Sequence, residues 1–257
     1  MFLKYRSALL LSLVAVVGFI ARSRYLSLDY FSPDEPVARA VVDHLREPGQ
    51  WDTNWRVCGA PAPYDYDQFT FSSYHYTLYG WDRITCSFPG EEVTRLRLLN
   101  AFLGVISVLC VGLAGRTLAG ALGGIAAAAF VAVAPVLVQD AHYLRCESFL
   151  TAGAAILLCL GCGARRGAWT VAFGGGVLGL LLACKISALL LAPILLPLLV
   201  DRAPGFLRNA LLMALGAVVG FALGVPSALT QLGVYLDGIV ELQRQYANAL
   251  PPHTTPD

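Results

Sequence analysis

The chain has 257 residues, of which 57% are hydrophobic and 14% charged. Soluble domains carry about 45–50% apolar and about 25% charged residues, so this composition excludes an ordinary cytosolic enzyme and a disordered chain. Lys+Arg 18 against Asp+Glu 17 leaves a net charge of +1, which argues against nucleic acid as a partner and for membrane lipid as the solvent.

The expected fold class is an all-α membrane protein. It has about seven transmembrane helices, with amphipathic interfacial helices in a long first outer loop. The first span lies within residues 1–20, with Lys4 and Arg6 near its start. No small-x-small cleavage site follows, so it reads as an uncleaved span rather than a signal peptide.

Residues 21–95 change character. Eleven of the seventeen acidic residues fall here, with Trp51, Trp55 and Trp81. This is an outer loop whose aromatics suit the headgroup zone. Within it Pro36–Glu47 puts Val37, Ala40, Val41 and Leu45 at helical spacing and leaves Arg39, Asp43 and Arg46 on a wet face.

Six further apolar runs fill residues 96–225: Leu96–Leu118, Ala121–Val138, Ser148–Gly163, Trp169–Cys184, Ile186–Val200 and Leu207–Val225. Residues 226–257 form an outer segment and tail, and the whole chain reads as one module. With the N-terminus inside, Lys4, Arg6, Arg116, Arg165, Arg166, Arg202 and Arg208 fall on the cytoplasmic side, as the bias of Lys and Arg requires; Asp201 is the acidic exception. Arg145, Glu147 and Lys185 are then the unusual charges of the outer side. Gly124, Ala126–Ala129 and Gly174–Gly176 give helices small faces for close packing.

Three clusters fall on that outer side. Ser32-Pro33-Asp34-Glu35-Pro36 follows the first span; its carboxylates either cap the next helix or supply a base near the membrane surface. His142-Tyr143-Leu144-Arg145-Cys146-Glu147 separates two spans; it reads as a stop signal with a local ion pair, or as a phosphate grip in which Glu147 orients Arg145. Lys185 ends a span, either snorkelling to water or meeting something anionic. Together one acid, one Arg and one Lys suit an anionic lipid headgroup. The aromatic loop from Tyr64 to Tyr79, with Tyr64, Tyr74 and His75, is a candidate lining for an acceptor or lipid cleft. Cys58 and Cys86 share the outer loop and are a candidate disulfide in an oxidising compartment. Cys159 and Cys162 form C-x-x-C, but with no His nearby they argue against a metal site.

This order of features resembles the lipid-linked-sugar glycosyltransferases of the GT-C superfamily, which include aminoarabinose transferases and protein O-mannosyltransferases. The resemblance rests on Asp34-Glu35 after the first span, on the long outer loop, on His142-Tyr143-x-Arg145-x-Glu147, on Lys185 in its Gly-rich context, and on Gln243-x-x-Tyr246 after Pro226. Cys146 stands where Pro is more usual, and the stop at Asp257 implies a truncated member. The resemblance implies an inverting glycosyltransferase at the outer face of a bacterial cytoplasmic membrane. Its partners would be a polyprenyl-phosphate sugar donor, a lipid, glycan or protein acceptor, and membrane lipids. Asp34 would be the base, with Glu35 beside it. Arg145 and Lys185 would meet the lipid phosphate, with His142, Tyr143 and Glu147 on the donor side. No cofactor is demanded, although Asp34, Glu35, Glu147 and His142 offer divalent-metal ligands. The alternative is a non-catalytic membrane protein: a lipid-phosphate binder, a transporter or a partner subunit. The absence of an internal repeat and the boundary position of the charges argue against a transporter.

Overall fold

A computed structural model describes residues 2–28, 32, 34–163, 167–200 and 205–247. The readings placed on Pro33, Arg165, Arg166, Asp201, Arg202 and the tail from residue 248 lie outside these residues, as do the side chains of Lys4 and Tyr246. The described residues are all-helical, with no strand among them. Three helices are long and apolar enough to cross a membrane by length and composition.

The first of these is α1 (Phe2–Ser23). Two helices of the polar segment follow, α2 (Glu35–Arg46) and α3 (Ser72–Thr85). The helix expected after Pro36 is α2, which buries Val37, Ala38, Val41, Val42 and Leu45; Ala40, expected on the apolar face, is only half-buried, and Arg46, expected in water, pairs with Asp82 and Glu92. Pro36 sits in its first turn, where the missing amide proton costs nothing.

The second apolar helix, α4 (Glu92–Val133), is two helices joined at a reversal. Ala119 leaves helical geometry and Gly120 takes φ 73°, a conformation natural to glycine. The limbs, residues 92–118 and 121–133, then face each other through Gly112 and Gly115 on one side and Gly124 and Ala127 on the other. They coincide with the first two apolar runs of residues 96–225. Helix α1 packs across both limbs through Leu11, Ala15, Val108 and Ala128. Arg22, 1% exposed, donates to the Val131 and Ala132 carbonyls at 2.7 Å and so satisfies the open C-terminus of the second limb.

Helix α5 (Pro135–Asp140) leads into α6 (Glu147–Cys162) and α7 (Ala168–Cys184). The next run, expected as a regular span, is instead a 3₁₀ segment (Ile186–Leu195) continued by α8 (Leu196–Val200). Pro193 and Pro197 remove two amide donors from this stretch, which suits a tighter, irregular helix. Helix α9 (Phe206–Gly224) is the third apolar helix. It meets α7 backbone to backbone. A Cβ at Gly175, Gly179, Gly216 or Gly220 would run into the main chain of the opposite helix, so only these glycines permit the spacing. Helices α10 (Pro226–Thr230) and α11 (Leu232–Ala247) are the last two described elements.

The polar segment forms a cap over one end of the bundle. Its own small core joins Val37, Val41 and Leu45 to Trp55, Cys58 and Tyr64. Helix α3 anchors the cap: Tyr74 and Leu78 pack with Leu96, Leu99, Leu144 and Cys184 of the bundle.

Candidate functional site

Four charged side chains from distant parts of the chain meet where cap and bundle join. Asp34 stands at the N-cap of α2, yet its carboxylate makes no capping bond. It accepts a 3.3 Å hydrogen bond from Nε of Arg145. Nε of Arg145 also lies 3.4 Å from Oε2 of Glu147, an ion pair without hydrogen-bond alignment. Lys185 Nζ is 3.9 Å from Oε1 of Glu147. Among the described residues the two terminal guanidinium nitrogens of Arg145 have no protein partner.

Local structure places each group. Lys185 is the extended residue that terminates α7, its amide still bonded to the Leu181 carbonyl at 2.8 Å. Glu147 opens α6. The loop carrying Arg145 is pinned by Asn100, fully buried, whose side-chain amide donates to the carbonyls of Tyr143 and Arg145.

Asp34, Arg145, Glu147 and Lys185 line one cavity of about 470 Å³. An aromatic wall faces the charges: Trp55 meets Tyr64, Tyr66 and Phe71 with ring centroids 5.6–5.9 Å apart. A third wall comes from α11 through Tyr235, Ile239, Leu242 and Gln243. Helix α11 is held in place by Gln68, which donates to the Gly238 carbonyl, and by Gln231, which donates to Asp52. Burial pushes the Asp34 carboxyl above its usual value, and the nearby Arg145 only partly opposes this. Burial lowers Arg145, but the surrounding carboxylates of Glu147, Asp34 and Asp140 outweigh it and hold the guanidinium charged. Burial and the Asp34 charge together raise Tyr64.

Asp34, Arg145, Glu147, Lys185 and Tyr64 are thus brought together. Other candidates are elsewhere. Glu35, one residue along α2 from Asp34, points away from the cavity into a two-pronged pair with Arg97, at 2.9 and 3.0 Å. His142 links the end of α1 to α5, its ring nitrogens 2.8 Å from the Arg24 and Val138 carbonyls. Tyr143 shares a different surface groove with His142. The reading of Tyr74 and His75 as cleft lining is corrected: residues 72–85 are helical, and both rings turn into the protein core. Tyr74 bonds Asn100 at 3.3 Å, and burial pushes the His75 imidazole down to about 3. The proposed disulfide is also corrected. Cys58 and Cys86 are both free: Cys58 is buried in the cap core, its Sγ donating to the Asp52 carbonyl, whereas Cys86 is exposed beyond α3.

Sequence reasoning missed Arg97, Asn100 and Trp55; Tyr66 lies within the aromatic loop expected to line a cleft, and Gln243 entered only through the resemblance. For Arg97 and Asn100 a signal existed, since a charge and an amide inside an apolar run need partners. Of the metal ligands named from sequence, Asp34 and Glu147 share the cavity, while Glu35 and His142 do not. Among the described residues no three of His, Cys, Asp or Glu are grouped to hold a metal ion. The chain matches no family model, no curated protein and no solved structure.

Proposed function

We propose that this chain is a membrane glycosyltransferase that moves a sugar from a polyprenyl-phosphate donor to an acceptor hydroxyl. On this reading α1, the two limbs of α4, α6, α7, the 3₁₀–α8 segment and α9 are seven crossing segments of a bacterial cytoplasmic membrane. The N-terminus lies inside and the cap outside. The observation that carries the reading is the convergence of Asp34, Arg145 and Lys185 on one cavity with an aromatic wall.

The donor phosphate takes the free terminal nitrogens of Arg145 and the ammonium of Lys185. Competition for the guanidinium releases Asp34, which accepts the proton of the acceptor hydroxyl. The oxygen attacks the anomeric carbon as the bond to the phosphate oxygen breaks, and the configuration inverts. The two cations stabilise the charge that collects on the departing lipid phosphate. The raised pKa of Asp34 suits a base that must bind a proton in passing. Sugar faces pack on Trp55 and Tyr66, and the apolar residues of α11 and Ile186 accept the start of the lipid tail.

The test is reconstitution with a panel of polyprenyl-phosphate sugars and extracted membrane acceptors, read as release of polyprenyl phosphate. Release by the native chain and its loss in Asp34→Asn, with insertion unchanged, support the reading. Full release in Asp34→Asn removes Asp34 from the mechanism. Tight binding of polyprenyl phosphate without release favours a lipid-phosphate binder instead.

A further inference from the structure

A second cavity, of about 510 Å³, lies along α2. One wall is the stripe Glu35, Pro36, Arg39, Ala40 and Asp43 of α2, and another is the start of α4 from Glu91 to Arg97. Leu26 and Ser27, just beyond the end of α1, close it.

Its floor is built. Glu35 and Arg97 are 7% and 4% exposed and neutralise each other there. Ser32 is 4% exposed, and its Oγ is buried with no hydrogen-bond partner among the described residues. A buried hydroxyl without a partner is costly, so its place in this wall calls for a polar ligand atom. The first turn of α4 (Val93, Thr94) borders the same space, and Glu91 makes no capping bond there. The N-terminal turn of the helix thus lines the cavity, and the positive end of its dipole favours an anion there.

The rim carries two uncompensated charges of opposite sign. Arg39 is exposed and makes no ion pair or hydrogen bond among the described residues; the Glu91 carboxylate is likewise exposed and unpaired. Asp43 is already held by Arg46 at 2.7 Å. A simple anion would satisfy Arg39 and Ser32 but would meet Glu91. A ligand with a phosphate and an ammonium answers both. Leu26, Pro36 and Val93 add apolar surface, and Tyr25 and Leu28, both exposed, flank Leu26 and Ser27 in sequence just beyond the first apolar helix.

We infer that this second cavity binds the headgroup of an aminated zwitterionic phospholipid, with its phosphate on Arg39 and Ser32 and its ammonium toward Glu91. The site is independent of the glycosyl-transfer reading, because it shares no lining residue with the first cavity.

The test uses the purified full chain in detergent, with short-chain phosphatidylethanolamine as probe and native mass spectrometry as readout. Phosphatidylglycerol of the same chain length and free phosphoethanolamine are the comparisons. Phosphatidylethanolamine should bind in preference to both. Arg39→Ala should weaken it about tenfold, the scale of one lost charge-assisted contact. Glu91→Gln should erase the preference over phosphatidylglycerol while leaving lipid bound. Equal binding of the two lipids by the native chain overturns the proposal, as does unchanged affinity in Arg39→Ala. Free phosphoethanolamine binding as tightly as the lipid overturns the assignment to a membrane lipid.

Discussion

Arg145 reaches across 111 positions of sequence to place its Nε 3.3 Å from the carboxylate of Asp34. The contact ties the cap to the bundle with both groups only partly shielded, at 35% and 25% side-chain exposure. It leaves the terminal guanidinium nitrogens open to the cavity. On the function proposed above, replacing Arg145 by Ala should lower release of the lipid phosphate by roughly 10²–10³-fold, the scale of removing one donor aimed at developing charge. Arg145 is also an influence that holds the Asp34 carboxyl down against burial. The acidic limb of the rate profile should accordingly move to higher pH in this variant, and a pH series of initial rates checks it.

The Glu35–Arg97 pair is the reverse case, buried on both sides at 9% and 5% side-chain exposure. Arg97 also donates to the Leu26 and Leu28 carbonyls, so it fastens the link between α1 and α2. Glu35→Gln or Arg97→Met alone should cost about 3–5 kcal/mol, because each strands a buried charge. The double variant should recover part of that loss. Denaturant unfolding in micelles measures the cycle.

His75 predicts an acid sensitivity unrelated to activity. Its folded value is pushed down to about 3 from 6.5 by burial, so the unfolded chain takes up a proton first as pH falls. Stability from the neutral ring is complete above about 6.5 and is lost toward 3, at about 1.4 kcal/mol per pH unit. His75→Phe should flatten this slope if the cap still folds, and thermal melts at pH 4 to 7 give the comparison.

The two cap cysteines should behave differently. Cys86 is exposed, while burial and the Asp52 charge push the Cys58 thiol up to about 12. A maleimide applied to the native protein should label Cys86 and spare Cys58. Non-reducing digestion should recover their peptides separately; a joined peptide would contradict the free thiols.

Gly179→Val should separate α7 from α9, because the added side chain meets the main chain of residues Ala217 and Phe221. The expected loss is at least the ~1–3 kcal/mol of an overpacked core. Gly233→Ala, where a Cβ meets nothing, serves as the control. Melting temperatures of the two variants decide it.

Helix positions were legible where hydropathy alone decides them. The reversal at Gly120 falls between two apolar runs, and α6, α7 and α9 coincide with three others. The failures share a cause. Adjacent residues on a helix point about 100° apart, so Asp34 and Glu35, read as a pair, serve different cavities. Tyr74 and His75 lay in a segment whose aromatic content hid its helical period, and only tertiary packing shows that they turn inward. The proline-bearing run after Lys185 carried its own warning in Pro193 and Pro197. Within the site, charged groups were found because charge is conspicuous among apolar neighbours. Trp55 was not, since an aromatic in a polar loop has many uses.

The glycine seam between α7 and α9 leaves no cushion of side chains to compress, so these two helices act as a single strut. Lys185 hangs from one end of it, and the polypeptide leaving α9 at the same end carries Tyr235 and Gln243. Two faces of the chamber therefore keep their separation, and widening it for a bulky guest falls to the Asp34 and Trp55 side.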